Sequence, residues 1–301
     1  MQEVVQFAAL GLGLGGINAL LALGLIVIYR GAGILNLAQG GFAVAGGYTF
    51  VQVFDEAGLP VGLGLLGACV VGAILGATTH LLIMRPLRHA TSLVRLIATL
   101  GILTVIQQAA LLKFGGRTVN VKQYLPNDPL DLPGDVTVGQ DRLILLGIAV
   151  GLAAVIWVIY RTSRFGKVTT AGVENQELIA ANGWSPDVIA SANWVIGGAL
   201  GGLAGALVTP LSGVRPGLGV FIILPALAAA LLGGFRSFPI CVGAALVLGM
   251  GESVMARYVS IPGAARSLPF IVIAVVLVIT GRAMPLRGER FERLPVIGSG
   301  E

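Results

Sequence analysis

Long apolar runs alternate with short polar segments along almost the whole chain. A bilayer core of ~30 Å needs about 20 helical residues to cross it. Nine runs reach or approach that length: 8–29, 35–54, 61–84, 93–112, 143–160, 188–208, 220–235, 238–256 and 268–280. The runs 220–235 and 268–280 are short, and Pro225 within the first of them favours a broken or re-entrant helix. The pattern predicts an all-α polytopic membrane protein with about eight or nine transmembrane helices.

Composition supports lipid as the main solvent of this chain. Of its 301 residues, 56% are hydrophobic and 11% are charged, whereas soluble domains carry about 25% charged residues. The 45 glycines suit membrane helices that pack through small residues. The sequence has a high isoelectric point, but its basic residues lie scattered at the ends of apolar runs. Membrane topology explains this distribution, so no nucleic-acid partner is predicted.

The distribution of Lys and Arg predicts the orientation. If the loops after residues 29, 84, 160, 235 and 280 face the cytoplasm, most basic residues lie there, as the positive-inside rule requires. The amino terminus is then outside, loop 113–142 is an irregular external cap, and loop 161–187 is cytoplasmic. We predict one membrane domain, 1–284, and a polar cytoplasmic tail, 285–301. Trp157, Trp184 and Trp194 flank the cytoplasmic loop, as interfacial anchors do.

Catalytic and metal-binding patterns are missing from the sequence. It has no G-x-x-x-x-G-K-[ST] phosphate loop and no pair of carboxylates within the apolar runs. His80 and His89 have no metal-binding partners at a useful spacing. We therefore predict no catalytic residue, no metal, no cofactor bound by this chain and no enzymatic activity of its own.

Loop 161–187 interrupts the apolar pattern with polar residues. Its second half is rich in helix formers and ends at Asn182-Gly183, a pair typical of a helix C-terminus. Small alanines there allow another protein to approach the backbone. We predict a helix over 173–183 that couples the spans to a partner, with an ordinary solvated helix as the alternative. The candidate coupling residues are Glu174, Asn175, Glu177, Ala180, Ala181 and Gly183.

Two amides interrupt the second apolar run. Asn36 and Gln39 are three residues apart, which would place them on one face of a helix, and Gly40 follows them. Such amides either line a solute pathway or form an interhelical hydrogen bond worth ~0.6 kcal/mol. We favour the hydrogen bond for Asn36 and keep both functions open for Gln39. Asn36, Gln39 and Gly40 are the candidate pathway residues of this segment.

Glu252 is the carboxylate that lies well inside an apolar run. An ionisable group in a membrane is a functional candidate by default, so Glu252 joins the candidate pathway residues. Alternatively, it reaches water near the external end of its span or pairs with Arg257 or Arg266. Weaker polar candidates within apolar runs are Asn18, Gln107, Gln108 and Asn193.

These residues together resemble the LivH/LivM family, the permease subunits of ABC importers for branched-chain amino acids. The likeness covers about residues 6–284. It is carried by Asn36-Leu-Ala-Gln-Gly40 with Gly46-Gly-Tyr48, by Glu174-Asn175 through Gly183, and by Pro216-Gly-Leu-Gly219, Leu232-Gly-Gly234 and Leu248-Gly249 through Glu252.

The resemblance implies an ABC importer permease in the cytoplasmic membrane that works by alternating access. It implies a second permease subunit (LivM-like or identical), two ABC ATPase subunits that bind the ATP, and an extracytoplasmic solute-binding protein. It also implies that 161–187 contains the ATPase-docking loop.

Three departures from the family pattern leave the solute open: Gly41-Phe42, Thr170 and Ile223-Leu224-Pro225. The candidate solutes are therefore urea, short amides and other amino acids as well as branched-chain amino acids. An ion-coupled secondary transporter is the alternative mechanism.

Overall fold

The computed structural model describes residues 2–132, 136–174, 176–261 and 263–280, and this part of the chain is almost entirely helical. The candidate Asn175 and the tail 285–301 lie outside the described residues, as do the side chains of Glu174 and Glu177. The α-helices are α1 (Gln2–Ala32), α2 (Gln39–Phe50), α3 (Val61–Thr78), α4 (Ser92–Phe114), α5 (Gln140–Thr162), α6 (Arg164–Glu174), α7 (Gln176–Ala181), α8 (Pro186–Ser212), α9 (Leu218–Leu232), α10 (Phe238–Tyr258) and α11 (Ala264–Thr280).

Six helices within the described residues are long and apolar enough to cross a membrane. They are α1, α3 with its π-helical continuation Thr79–Met84, α4, α5, α8 and α10. Helices α9 and α11 are apolar but shorter, and α2 continues into a π-helix at Val51–Glu56. The predicted all-α polytopic fold with some short or broken helices is confirmed.

Helix α1 forms the centre of the bundle, because 89% of its apolar window is buried inside the protein. Glycines bring its backbone close to two neighbours. A Cβ atom on Gly15 would lie 2.9 Å from the Leu246 Cα of α10. One on Gly24 would lie 2.9 Å from the Gly197 carbonyl oxygen of α8. Lipid supplies no hydrophobic force between helices, so close van der Waals packing of this kind holds them together.

Helices α3 and α8 cross at a second stripe of small residues. Ala68, Gly72 and Gly76 recur every fourth residue on α3, and they face Gly198 and Gly202 on α8. A Cβ atom on Gly72 would overlap the Gly198 carbonyl oxygen, and one on Gly202 would overlap the Ala68 carbonyl oxygen. This spacing is the small-xxx-small pattern of tightly packed membrane helices.

The predicted irregular loop 113–142 contains a short hairpin. Strands β1 (Pro129–Leu132) and β2 (Val136–Gly139) pair antiparallel, with Leu130 opposite Val138. The Gln6 side chain holds β2 against α1, since its Oε1 accepts from the Thr137 backbone N–H at 2.8 Å. The proline-rich composition concealed this hairpin, because alternation over four residues is too weak a signal to read from a sequence.

The three tryptophans do not share one role. Trp157 and Trp184 are 37% and 40% exposed, as expected of interfacial anchors. Trp194 is completely buried on α8, so its prediction as an anchor was wrong. It lies eight residues into α8 and packs with Ile28, Phe42 and Met84 in a small apolar cluster.

The glycine contacts predict a sharp difference between two Gly→Ala variants. Gly72→Ala forces a methyl group into the α8 backbone and should lower the free energy of unfolding by about 1–3 kcal/mol. Gly147→Ala is the matched control, since Gly147 is exposed in mid-helix with no atom within 4 Å of its Cβ position. Unfolding in mixed detergent micelles measures both. Equal stability of the two variants would contradict this packing.

Candidate functional site

The chain breaks between α1 and α2, and both candidate amides lie at this break. Gly33 has a φ of 67°, which ends α1, and α2 begins only at Gln39. Asn36 therefore precedes the helix, and the expectation that both amides share one helix face is corrected. Its Oδ1 accepts from the Ala38 N–H at 3.0 Å, a local turn that competes with helix formation.

Gln39 connects three parts of the molecule. Its Nε2 donates to the Gly197 carbonyl oxygen of α8 at 2.8 Å. Its Oε1 accepts from Asn36 Nδ2 at 3.2 Å. The amide is packed against the backbone at Gly24 and Gly201, where a Cβ atom would collide with it or press on it. Asn36 and Gln39 have no exposed surface, so both amides are satisfied by the protein itself.

This junction lies near the middle of the membrane. Gly24 is eight residues before the end of α1, and Gly197 is eleven residues after the start of α8. At 1.5 Å per residue, Gln39 is about 12–16 Å from those helix ends, which is close to half of a ~30 Å core. Helix α2 therefore starts near the bilayer centre.

Helix α9 starts at the same depth. A Cβ atom on Gly219, its second residue, would lie 2.7 Å from the Gly40 carbonyl oxygen. From there α9 runs back towards the end of α1, where Phe235 lies 4.8 Å from Tyr29 between ring centroids. The predicted broken helix around Pro225 is thus a half-length helix. Two amino-terminal helix ends meet beside Gly40, each with the partial positive charge of its dipole.

A third amide adjoins this meeting point. The Gln107 Nε2 of α4 would lie 3.2 Å from a Cβ atom on Gly219. This nitrogen is buried and has no hydrogen-bond partner among the described residues. The sequence ranked Gln107 below Asn36 and Gln39, because nothing in its spacing reveals contact with a glycine over a hundred residues away.

The polar loop forms two helices instead of one over 173–183. Ser163 begins the first helix, α6, since its Oγ accepts from the Gly166 N–H at 3.1 Å. Such a serine is a favoured N-cap, and it is the signal that the sequence analysis missed. The second helix, α7, follows after residue 175 and packs back on α6 through the buried Ile179, next to Gly172.

Helix α7 ends as its sequence predicts and presents its last turn outward. Gly183 has a φ of 81°, and its N–H donates to the Ala180 carbonyl oxygen at 3.0 Å. Trp184 N–H donates to the Ile179 carbonyl oxygen at 3.0 Å. Ala180, Ala181 and Gly183 are all exposed. These three candidate coupling residues therefore form one accessible surface, the α7 tip.

A polar network, buried at Thr169 and Asn193, fastens α6 to the membrane helices. Arg30 Nη2, at the end of α1, donates to Thr170 Oγ1 at 2.9 Å. Asn193 Nδ2, on α8, donates to Thr169 Oγ1 at 3.3 Å, and Asn193 Oδ1 accepts from the Tyr160 hydroxyl of α5. Thr169 and Asn193 are 1% and 0% exposed. Helix α6 is thus bonded directly to α1 and α8, and through Asn193 to α5.

The same helix joins this network to the mid-membrane amides. Asn193 is one turn before Gly197 on α8, and the Gly197 carbonyl oxygen accepts from Gln39. A displacement of α8 at Asn193 therefore also moves the hydrogen-bond partner of Gln39. The sequence analysis gave Asn193 little weight, because its partners Thr169 and Tyr160 are 24 and 33 residues away.

A second connection lies at the other edge of the polar loop. Arg85 Nε and Asp187 Oδ2 are 3.3 Å apart, and Ser191 Oγ is 2.9 Å from His80 Nδ1. Both contacts join the end of the α3 segment to the start of α8. Since Arg85 and Asp187 are about half exposed, their ion pair contributes at most about 1 kcal/mol.

Glu252 lies in the last third of α10 and is partly buried. In the described part of the chain no salt bridge joins it to Arg257 or Arg266. Arg257 instead lies over the Phe7 ring at 5.4 Å, and Arg266 over the Phe221 ring at 5.1 Å. Near Glu252, Gly249 packs on Gly11 and Gly15 of α1, whereas Gln39 packs at Gly24. This offset of 9–13 residues along α1 means that the structure does not bring the four pathway candidates together.

Metal chemistry has no visible support in the described residues, which contain no group of three or more His, Cys, Asp or Glu side chains placed to hold an ion. The polar groups collected here are amides, hydroxyls and a guanidinium. They position helices and can contact a polar solute.

Comparison with known proteins decides the family. The family model for the "Branched-chain amino acid transport system / permease component" matches residues 7–280. The chain belongs to this permease family. Relatives include the high-affinity branched-chain amino acid permease proteins LivH of Salmonella typhimurium, 27% identical over 83% of this chain and 85% of the relative, and of Escherichia coli K12, 28% identical with the same coverage.

A third relative is archaeal. The probable branched-chain amino acid transport permease protein LivH of Methanocaldococcus jannaschii is 31% identical over 80% of this chain and 78% of that protein. The matches therefore span nearly the whole permease and include α2 and α9. Relatives named as transport permeases agree with a transport subunit that carries out no catalysis.

The packing of Gln39 predicts that removal of its side-chain amide destabilises this permease. Gln39→Ala leaves the Gly197 carbonyl oxygen and Asn36 Nδ2 without their partner, so the free energy of unfolding should fall by about 1–2 kcal/mol. Gln108→Ala is the matched control, because Gln108 is exposed on α4. Unfolding in mixed micelles compares them, and a Gln39→Ala variant as stable as Gln108→Ala would contradict the assignment.

Proposed function

We propose that this permease is the membrane-spanning subunit of an ATP-driven ABC importer, and that the α7 tip receives force from separate ATPase subunits. The proposal rests on two features that occur together: an exposed helix end and its attachment to three membrane helices. A capped helix end with small, exposed side chains is fixed, through α6 and its polar network, to α1, α5 and α8. An ordinary solvated loop helix needs no such fastening.

The transport cycle follows from this connection. An extracytoplasmic binding protein delivers solute to a pathway between this subunit and a second, similar or identical permease subunit. Two ATPase subunits bind ATP and close, and they push on the α7 tip. Helices α6 and α8 transmit the displacement to the junction of α2 and α9, where Asn36, Gln39 and Gly40 lie. The pathway then opens on the opposite side, while this chain binds no nucleotide or cofactor itself.

The orientation that serves this cycle has α6 and α7 in the cytoplasm. Arg30, Arg85, Arg161 and Arg236 lie at the same end of the helices as these two elements, which agrees with the positive-inside rule. The amino terminus is then external and the carboxyl tail internal, in a multi-pass protein of the cytoplasmic membrane. The membrane domain is 1–284, followed by the tail 285–301.

The solutes are proposed to be branched-chain or related amino acids, as the names of the relatives suggest. The junction beside Gly40 has two positive helix ends and the Gln107 Nε2, which has no partner among the described residues, and these groups suit the carboxylate of an amino acid. Urea and short amides would use the Gln107 amide alone.

An Ala181→Arg variant tests the coupling role. Ala181 is exposed, so the larger side chain should leave folding intact but block close approach of an ATPase. In the assembled transporter, leucine uptake into proteoliposomes should fall by about tenfold, and the ATPase activity stimulated by the binding protein should fall with it.

The matched control is Ala57→Arg. Ala57 is also exposed and lies just before the start of α3 at Val61. The other end of that helical segment is followed by Arg85, which pairs with Asp187 beside the polar loop. Ala57 is therefore at the face opposite to the α7 tip, and its variant should keep uptake near the wild-type level. Unchanged uptake and stimulated hydrolysis in Ala181→Arg would remove the α7 tip from the mechanism.

A further inference from the structure

A cleft opens where α1 and α5 end and α10 begins. Its volume is about 360 Å³. Three arginines and three aromatic rings form most of its lining, which consists of Arg30, Trp157, Tyr160, Arg161, Arg236, Ser237, Phe238 and Pro239. None of these described lining residues is acidic. Arg30 and Tyr160 also belong to the polar network that fastens α6, whereas the other six lining residues have no part in that network.

Within the described residues, two of the three arginines lie against aromatic rings and none is paired with a carboxylate. The Arg30 guanidinium lies 5.5 Å from the centroid of the Tyr160 ring and 5.1 Å from that of Phe238. Arg161 lies 5.0 Å from the Trp157 centroid. The salt bridge found within the described residues lies elsewhere, between Arg85 and Asp187. Among the described residues, no carboxylate therefore neutralises the positive charge of the cleft.

The start of α10 adds to this positive potential. Helix α10 is 21 residues long and begins at Phe238, with the Ser237 side chain accepting from the Ile240 N–H. Its amino-terminal end, which carries the positive part of the helix dipole, forms one wall of the cleft.

The depth of the cleft matches lipid headgroups. Arg30 and Arg161 are in the last turns of two membrane-spanning helices, and Arg236 precedes a third. Trp157 is partly exposed beside them, and tryptophan is enriched at the level of the headgroups. An anion at this position is therefore within reach of the membrane surface.

Apolar surface continues from the cleft into the membrane. Ile240 and Val247 of α10 are 59% and 63% exposed, and Val150, two turns before Trp157 on α5, is 44% exposed. Gly243 lies on the same side of α10 as Pro239, is exposed, and has no atom within 4 Å of its Cβ position. Exposed apolar side chains and the space left at Gly243 suit an acyl chain, which a free anion lacks.

We propose that this cleft binds an anionic phospholipid, with the phosphate headgroup against Arg30, Arg161 and Arg236 and an acyl chain along Gly243. Guanidinium groups form strong, charge-assisted hydrogen bonds with phosphate oxygens, and basic pockets between membrane helices bind anionic headgroups. The bound lipid would bridge α1, α5 and α10 next to the attachment of α6. The proposal depends on this chain alone and is independent of ATPase coupling.

Lipid titration of the purified full-length chain in detergent, followed by native mass spectrometry, tests the site. Phosphatidylglycerol and phosphatidylcholine with identical acyl chains are the probes, and inorganic phosphate is the competitor. Wild-type protein should bind phosphatidylglycerol more tightly than phosphatidylcholine. Arg161→Gln with Arg236→Gln should weaken phosphatidylglycerol binding by about 25-fold, or about fivefold for each arginine.

The double variant Arg88→Gln with Lys167→Gln is the matched control, because it removes two exposed charges from the same face of the protein outside the cleft. It should keep the wild-type affinity, and both double variants should unfold at the same temperature in phosphatidylcholine. Equal binding of the two lipids, or equal losses in both double variants, would overturn the proposal. Displacement of phosphatidylglycerol by millimolar phosphate would identify a free-anion site and would also overturn it.

Discussion

Direct backbone contact between helices is the constraint on which this structure depends. In lipid, burial of apolar side chains gives little net attraction between helices, so their stability comes from close packing and hydrogen bonds. The glycines supply the closest packing, since α8 meets α1 at Gly197, α3 at Gly198 and Gly202, and α2 at Gly205. Helix α8 therefore makes backbone contact with three other helices.

This constraint explains why polar groups can lie near the bilayer centre. The Gln39 amide fits between α1 and α8 only because Gly24 and Gly201 have no side chains. Its hydrogen bonds then satisfy both the amide and the Gly197 carbonyl oxygen, which removes the cost of burying them. Helices α2 and α9 start at the same place, where Gly40 and Gly219 let their first turns approach each other.

A physical connection runs from the α7 tip to this junction. It passes through Ile179 to α6, through Thr169 to Asn193, and along one turn of α8 to Gly197 and Gln39. Each step is a packed or hydrogen-bonded contact. In the proposed mechanism, this buried chain of contacts is the means by which a small force at the surface would reach the bilayer centre.

Features that repeat along the chain could be predicted from the sequence, whereas features formed by residues far apart in sequence could not. Hydrophobic runs predicted the helical fold and a short or broken helix at Pro225, and Asn182-Gly183 predicted the end of α7. The position of Asn36 outside the helix, the burial of Trp194 and the role of Asn193 depend on partners far away in sequence. Ser163 was a local signal that could have predicted α6. The solute pathway candidates remain predictions.

Reconstitution of the purified chain in vesicles, with and without its partners, tests the central claim most directly. The measurement is accumulation of radiolabelled leucine against a gradient. Only vesicles that also contain the ATPases, the second permease subunit, the binding protein and ATP should accumulate it, because the proposed mechanism takes its energy from the separate ATPases. Accumulation by the chain alone, with or without an ion gradient, would contradict the account.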